Sequence, residues 1–436
     1  MNEHDDRPGR FEIDPALWRG LTQRRMSRRD LFKVAGAGAG AMSLASILAA
    51  CGVSGARKTT TAPPAASGTG TATATASPSP SPLSDIYGDG KPSGQLNFAN
   101  WDLYIDRSTL KEFTNQTGIE VTYKTAINDN NPFLARIIPS LQNGQYCGFD
   151  LIVITNGGPI ERMIALGFLT PLDHSFLPNF EKYASDAVKD PVYDPGNAYS
   201  VAWQSGFTAI GYNSKVVTEP PTTFGDLLDP QYKGKVGMFG NNQDLPCPAL
   251  VWQGFDIQTS TPDDWKKVAD ILSKARDDGI IRAFYDQGYI NALENGDTVI
   301  TQAWSGDIFI AAAPKNIGGD GFPEMKLSTP GEGAVLWTDN MCIPINPEHP
   351  VDAIMWMNFA YDPKVAATNA DFIWYVSPVP AAKEIVLNDI KDPDVANSPL
   401  VFPSADQLAA AHKYKVFKDS AEEEEWNSIW EPVFAS

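Results

Sequence analysis

From position 95 onward, short apolar runs alternate with segments in which apolar residues recur at helical spacing. The runs at 95–99, 119–125 and 149–154 predict strands, and the last is almost continuously apolar, as buried parallel strands are. Residues 108–116 and 159–166 have helical spacing, and a glycine suited to a helix end follows each of them closely. This order of strands and helices predicts an α/β protein built on an open sheet.

A second unit with the same alternation extends from about residue 206 to 337. Its predicted strands are 207–213, 235–239 and 298–304. In the first unit, a helix that opens at Asn131 contains Pro139, which predicts a kink or a break there. Residues 351–361 predict an amphipathic helix whose Met, Trp and Phe side chains pack in the core.

Aromatic and acidic residues follow the first predicted strand directly. Trp101, Asp102 and Tyr104 lie just beyond the carboxyl end of that strand. Ligands of open α/β sheets bind in the crevice outside the carboxyl ends of the strands. These three residues are therefore candidates for ligand contact.

The charge of the chain narrows the kinds of partner. The 436 residues contain 34 Lys and Arg against 53 Asp and Glu, a net charge of −19. Such a balance argues against nucleic acid, whose phosphates favour clustered basic residues, and it is compatible with a cationic ligand. With only four histidines (His4, His174, His349 and His412) the chain offers little material for a histidine-based metal or catalytic site.

The first fifty residues have the pattern of an export signal. Arg28 and Arg29 precede a stretch without charged residues that ends in Leu48-Ala49-Ala50-Cys51. Paired arginines before a short apolar stretch are typical of a twin-arginine signal, and the last four residues match a lipobox in which Cys51 is lipidated. The protein is therefore predicted to be exported and lipid-anchored at the outer face of the cytoplasmic membrane. The alternative is an uncleaved N-terminal anchor helix with an incidental cysteine.

Residues 51–93 comprise Cys51 and a predicted disordered linker. The stretch from Thr59 to Ser84 has no charge and consists mostly of Thr, Ala, Pro and Ser, which cannot bury enough apolar surface to offset the loss of chain entropy on ordering. Repeated Ser-Pro pairs favour extended chain, so we expect a semi-stiff spacer, with an O-glycosylated stalk as the alternative. A chain that begins near Ser93 is accordingly expected to keep its stability.

Three cysteines remain after Cys51, namely Cys147, Cys247 and Cys342. No CxxC pair or neighbouring histidine accompanies them, which argues against zinc and against a redox pair. The spacing of these cysteines leaves two alternatives open. The protein has either one disulfide plus one buried thiol, or three buried thiols.

Several short segments occur in a recognisable order along the folded part. They are Asn100-Trp101-Asp102-Leu103-Tyr104, Asp150-Leu151-Ile152-Val153, Thr208-Ala209-Ile210-Gly211-Tyr212-Asn213, 226–234 (DLLDPQYKG), Trp304-Ser305-Gly306-Asp307, Glu332-Gly333, Trp337-Thr338-Asp339 and Pro344. Together they resemble the spermidine/putrescine-binding proteins of ABC importers, a group of two-lobed bacterial solute-binding proteins. The resemblance covers about residues 95–435.

The resemblance implies a type II periplasmic-binding-protein fold, α/β with central mixed sheets and a ligand cleft between two lobes. The implied division is 94–203 for lobe 1, 204–337 for lobe 2, 338–383 for the return to lobe 1 and 384–436 for the C-terminal helices of lobe 2. Hinge closure would bury the ligand. The implied protein is monomeric and delivers its solute to an ABC permease and ATPase complex, with no cofactor and no metal.

The resemblance also implies which residues line the cleft. Aromatic walls for the methylene chain of a polyamine and carboxylates for its ammonium groups are expected there. The implied walls are Trp101, Tyr104, Trp304, Trp337 and Tyr375. The implied polar contacts are Asp102, Asn156, Asn241, Asp244, Asp307 and Asp339.

The sequence departs from the family pattern at several of these positions. Leu103 stands where the family has an acid, and Asn156 and Gly158 replace a serine and a tyrosine. Asn241 replaces an aspartate, although Asp244 keeps an acid three residues later. The departures leave open a putrescine-sized ligand, a differently spaced one, or another small organic cation or amino-acid-like solute.

Two other classes of function are less compatible with the sequence. An exported hydrolase would need a recognisable catalytic motif, and the chain has no GxSxG, HExxH or P-loop motif. A purely structural surface lipoprotein would account for the anchor and the stalk but not for the cleft aromatics. We therefore expect a binding protein and not an enzyme.

Overall fold

The strands of the protein join into one mixed sheet. The computed structural model describes residues 83–314 and 319–434, and within these residues the sheet has ten strands. The strands are β1 Gln95–Trp101, β2 Glu120–Ile127, β3 Leu151–Thr155, β4 Ser200–Asn213, β5 Val236–Phe239, β6 Ile281–Tyr285, β7 Ile300–Trp304, β8 Met325–Ser328, β9 Val335–Cys342 and β10 His412–Lys413. The strand order is β2-β1-β3-β9-β4-β7-β5-β6, with β8 paired to β4 and β10 paired to β9.

Helices connect most of the strands. The α-helices are α1 Leu83–Tyr87, α2 Arg107–Thr117, α3 Asn130–Gln142, α4 Pro159–Ala165, α5 Pro178–Tyr183, α6 Pro246–Trp252, α7 Pro262–Asp277, α8 Tyr289–Glu294, α9 Ser305–Ala312, α10 Pro350–Ala360, α11 Pro363–Ile373, α12 Ala382–Ile385, α13 Pro393–Ala396, α14 Ala405–Ala410 and α15 Ser420–Phe434. None of the helices in the described part of the chain has the length and hydropathy needed to cross a membrane.

Strands β4 and β9 lie at the centre of the sheet and join its two ends. β4 is 14 residues long and buried over almost its whole length, so its apolar pattern is nearly continuous rather than alternating. Residues 200–208 of β4 pair antiparallel with β9 except at Trp203, where the register shifts, and its later residues pair with β7 and β8. The end of β9 pairs with β3. The predicted lobe boundaries at 203/204 and 337/338 lie within these two strands, and the lobe division stays a prediction.

The predicted elements agree with the structure except at three places. The α/β class and the predicted strands are confirmed, although β4 begins seven residues earlier than its predicted start at 207. Helix α3 continues through Pro139, so the predicted break does not occur, and the helix lacks only the bond that an N–H at position 139 would donate to the carbonyl of Ala135. Helix α10 is buried on nearly all sides, so its predicted core packing is confirmed but its predicted amphipathic character is not.

The predicted linker ends too late. Residues 83–87 form helix α1, whose Tyr87 is buried, donates a hydrogen bond to the carbonyl of Pro171 (2.9 Å) and stacks on Phe176 with ring centroids 5.7 Å apart. The backbone N–H groups of Ser93 and Gly94 each donate to the carboxylate of Asp352 at 2.8 Å. The chain is thus fixed to the folded body before residue 93. The predicted signal, Cys51 and the linker up to residue 82 lie outside the described residues.

The remaining sequence expectations concern packing. Trp203 and Trp374, interpreted as packing residues, are buried. Cys147 is half-buried, Cys247 and Cys342 are buried, and all three are free thiols. Their burial raises the pKa of each thiol.

Candidate functional site

Four aromatic rings from distant parts of the chain meet beside β9. They are called the aromatic cluster and consist of Tyr104, Trp304, Trp337 and Tyr375. Ring centroids are 6.5 Å apart for Trp304 and Trp337, 5.4 Å for Trp337 and Tyr375, and 5.9 Å for Tyr375 and Tyr104. The residues come from the loop after β1, the end of β7, the middle of β9 and the turn after α11. The structure therefore brings together four of the five aromatic residues that the sequence predicts.

Two glycines make room for the cluster. Gly206 pairs with Trp337 in the β4–β9 ladder, and a Cβ atom at Gly206 would lie 2.3 Å from the indole Cζ2. A Cβ at Gly306, in the first turn of α9, would lie 2.4 Å from Cε2 of Tyr375. Real Cβ contacts are never this short, so both rings occupy space that only glycine leaves open.

Asp339 lies beside the cluster at the end of the β3–β9 pairing. Its Oδ1 accepts a hydrogen bond from Thr155 Oγ1 (2.6 Å), the residue paired with it across the ladder. Burial raises the pKa of Asp339 to about 6, although the hydrogen bond from Thr155 and the nearby Tyr104 hydroxyl oppose this shift. The pKa of the Tyr104 hydroxyl is raised by burial and, in addition, by the negative charge of the nearby Asp339 carboxylate. Asp339 is thus a carboxylate whose ionisation a cationic ligand would favour.

Asp307 lies on the other side of Tyr375, in the first turn of α9. Its Oδ1 accepts from the Tyr375 hydroxyl and its Oδ2 from the Tyr289 hydroxyl, both at 2.9 Å. The Tyr289 hydroxyl also accepts from the backbone N–H of Trp304 (3.1 Å). These bonds fix the orientation of Tyr375 within the aromatic cluster.

Asp244 is the third buried carboxylate. Oδ1 accepts from the hydroxyls of Thr208 and Tyr414, and Oδ2 accepts from Asn241 Nδ2 (2.9 Å). Burial raises the pKa of Asp244, and these hydrogen bonds, together with one from the Trp304 indole, oppose the rise. All of these donors are neutral groups.

Neither Asp244 nor Asp339 takes part in an ion pair with a Lys, Arg or His within residues 83–314 and 319–434. Two buried polar atoms of the cluster, the Tyr104 hydroxyl oxygen and Trp337 Nε1, have no hydrogen-bond partner at ordinary distances among the same residues. A buried carboxylate is costly unless a cation compensates it. The site therefore has the charge to take a cation, whereas Trp337 Nε1 can only donate.

The other predicted contacts lie apart from the cluster or support it. Trp101 is half-buried, and its indole Nε1 donates to the carbonyl of Val153 (3.1 Å), whereas Asp102 is exposed. Asn156 exchanges two hydrogen bonds with the backbone of Thr338, so it fixes the residue before Asp339. Asn241 holds Asp244 through both its side-chain amide and its carbonyl oxygen.

Sequence reasoning missed the polar residues that hold the carboxylates. They are Thr155, Thr208, Tyr289 and Tyr414. Thr208 lies in a predicted strand and Thr155 directly follows one, so the position of their side chains at the site depends on strand pairing. Tyr414 lies 170 residues after Asp244, and no local signal marks it.

The loop after β3 contacts the far half of the sheet. Gln243 Nε2 donates to the carbonyl of Gly157 (2.6 Å), and Arg162 of α4 forms an ion pair with Glu423 of α15. Glu161, the residue before Arg162, accepts hydrogen bonds from the N–H groups of Gly157 and Gly158. Burial raises the pKa of Glu161 to about 7. These contacts hold the two halves of the sheet together beside the aromatic cluster.

The architecture and the site together define a class of protein. A sheet whose halves are joined by two long central strands, with a buried aromatic and acidic site beside those strands, is the arrangement of a two-lobed solute-binding receptor. The family model for bacterial extracellular solute-binding proteins matches residues 148–410. The chain belongs to this family, which is a family of binding proteins and not of enzymes.

Known proteins with similar sequences and structures agree with this assignment. The chain is 29% identical over 314 residues to the spermidine/putrescine-binding periplasmic protein of Escherichia coli (strain K12), covering 72% of this chain and 84% of that protein. The spermidine/putrescine transporter substrate-binding protein PotD from Streptococcus pneumoniae has a TM-score of 0.65 at 23% identity, covering 78% and 98%. The TpPotD lipoprotein of Treponema pallidum has a TM-score of 0.66 at 20% identity, covering 78% and 100%. The fold is that of type II periplasmic binding proteins, as the resemblance implied.

Proposed function

We propose that the protein is the substrate-binding component of an ABC importer and that it captures a polyamine at the aromatic cluster. The observation that carries the proposal is the burial of Asp339 beside four aromatic rings without a cationic partner in the described residues. A bound cation supplies the charge that such a carboxylate requires.

The chemistry of a polyamine fits the composition of the cluster. Its methylene groups need apolar surfaces, which Trp304, Trp337 and Tyr375 offer. Its ammonium groups need carboxylates and aromatic faces, and each cation–π contact contributes roughly 0.5–2 kcal/mol. Asp339 offers one such carboxylate, with the unpartnered Tyr104 hydroxyl next to it. An amino-acid-like solute would also need a partner for its own carboxylate, and Asp244, Asp307 and Asp339 would repel it.

The names of the relatives support the same class of ligand. The Escherichia coli relative is named for binding spermidine and putrescine, and the Streptococcus pneumoniae neighbour is named as the substrate-binding protein of an ABC transporter. By this analogy the partners of the present protein are a polyamine and a membrane permease with its ATPase. The predicted export signal and the lipid at Cys51 complete the proposal, since an anchored receptor stays near its permease.

The proposal is tested by calorimetry and by thermal unfolding with putrescine, spermidine, amino acids and sugars. At about 100 times its Kd, a true ligand stabilises the protein by roughly 2.7 kcal/mol. Asp339→Asn is expected to weaken polyamine binding at least about tenfold, which is about 1.4 kcal/mol, because the ammonium group loses its counter-charge. Asp389→Asn, at an exposed position, is the matched control and should bind as the parent does.

The result can contradict the proposal in two ways. Stabilisation by an amino acid or a sugar, with no effect of either polyamine, would assign the site to another solute. Polyamine binding that survives Asp339→Asn within about twofold would remove Asp339 from the site.

A further inference from the structure

The three buried carboxylates of the site differ in how fully the protein itself satisfies them. Asp244 accepts hydrogen bonds from Thr208, Tyr414 and Asn241, which occupy both of its oxygens. A carboxylate offers about four acceptor positions in all. The Trp304 indole also donates to Asp244. Few acceptor positions of Asp244 are therefore left for a ligand. At Asp339, by contrast, the Thr155 hydroxyl bonds to Oδ1 only.

Tyr414 closes the Asp244 end of the site. It is buried, and it directly follows β10, which pairs with β9 at Val335 and Leu336 immediately before Trp337. Its ring lies against Gly157, where a Cβ atom would be 2.8 Å from Cδ2 of the tyrosine. Tyr414 therefore fills the space between Asp244 and the loop after β3.

The backbone on both sides of Tyr414 is held in place. The His412 N–H donates to the carbonyl of Ala334 (3.0 Å), and the Lys415 N–H donates to Gln243 Oε1 (3.1 Å). The same Gln243 donates to the carbonyl of Gly157 (2.6 Å). Tyr414 is thus fixed between the two halves of the sheet, and a ligand does not displace it without breaking these bonds.

From this geometry we propose that Tyr414 is a specificity-determining residue that limits the ligand to a short diamine. Its ring forms the boundary of the site at Asp244. Its hydroxyl occupies the Asp244 oxygen that a third ammonium group would need as an acceptor. A diamine places one ammonium at Asp339 and extends its methylenes along the aromatic cluster toward Asp307. A longer triamine would have to extend toward Asp244, where the Tyr414 ring fills the space and the Asp244 oxygens already accept hydrogen bonds from the protein. This proposal rests on the proposed function, because it concerns which polyamine the same site takes.

The test measures calorimetric affinities of the parent for 1,3-diaminopropane, putrescine, cadaverine and spermidine. Putrescine is expected to bind at least about tenfold more tightly than spermidine. This series requires no variant, so it decides the proposal even if substitutions at Tyr414 unfold the protein. Equal affinities for putrescine and spermidine would overturn the proposal.

Variants at Tyr414 then assign the selectivity to that side chain. Tyr414→Ala is expected to raise spermidine affinity at least about tenfold while putrescine affinity changes less than about threefold. Tyr414→Phe keeps the ring, so spermidine affinity should rise less than about threefold. Tyr183→Ala, on helix α5, is the matched control and should change neither affinity. A folded Tyr414→Ala protein that keeps the parent's ratio of affinities would show that another feature sets the length of the ligand.

The failure of this proposal can be told from the failure of the proposed function. Binding of both polyamines with equal affinity refutes the role of Tyr414 alone. Binding of neither polyamine to the parent refutes the proposed function, and the role of Tyr414 with it.

Discussion

The chemistry of the site depends on the burial of single carboxylates. Asp339 has a pKa raised to about 6 because its burial penalises the ionised form more than Thr155 and Tyr104 favour it. Between about pH 4 and 6 the folded, ligand-free protein therefore binds a proton that the unfolded chain releases. The free energy of unfolding falls as pH rises through this window, by about 3 kcal/mol for a shift of about two pKa units.

This protonation predicts how polyamine affinity depends on pH. An ammonium group binds the ionised form of Asp339, so binding releases a proton when the pH lies below about 6. Affinity is expected to be about tenfold weaker at pH 5 than at pH 7.5, and to change little above pH 7. Calorimetry in two buffers of different ionisation enthalpy measures the released proton directly. Asp339→Asn should flatten the profile, and an unchanged profile in that variant would place the titrating group elsewhere.

At the scale of elements, short segments outside the predicted strands and helices determine where the folded body begins and how the site is closed. Helix α1 has only five residues, yet it buries Tyr87 against Phe176. β10 has two residues, yet it sets the position of Tyr414. Periodicity does not detect such segments, because they are shorter than the window over which a period can be seen.

Helix α1 predicts an effect of truncation that the sequence alone would not suggest. A chain that begins at residue 93 is expected to lose about 2–4 kcal/mol of unfolding free energy, because it lacks the buried Tyr87 side chain. A chain that begins at residue 83 should keep the full value, and Tyr87→Ala in the longer chain should reproduce most of the loss. Urea unfolding followed by tryptophan fluorescence measures all three. Equal stability of the two truncated chains would show that α1 contributes nothing.

For the whole molecule, the continuous sheet joins the predicted lobes through β4 and β9. Trp337 and Asp339 lie on β9 where it passes from its contacts with β10 to its contacts with β3. A ligand bound there contacts the two strands that a hinge motion would bend. The ion pair of Arg162 with Glu423 and the bond of Gln243 to Gly157 join the same two halves of the sheet.

The proposed lipid anchor at Cys51 would keep the protein at the membrane. Cys51→Ala is expected to release the protein from membranes or to leave an unprocessed precursor, because lipidation needs the cysteine thiol. Membrane fractionation and intact mass measure the two outcomes, with Cys147→Ala as the control. Unchanged mass and unchanged fractionation of Cys51→Ala would contradict lipidation.

How much the sequence alone determined differs between the fold and the site. The alternation of apolar runs determined the α/β class and most strands, because burial of a strand or of a helix face imposes its own period on the chain. The resemblance of short motifs to a known family identified Trp304, Trp337, Tyr375 and Asp339 as candidates.

Only the tertiary structure decided which of these residues meet and what holds them. Asp102 follows the same strand as Tyr104, yet it is exposed while Tyr104 is buried in the cluster. Tyr414 and Thr208 satisfy Asp244 from positions that are distant in sequence. Such contacts depend on strand pairing and on the space left by Gly157, Gly206 and Gly306, and neither is encoded in local periodicity.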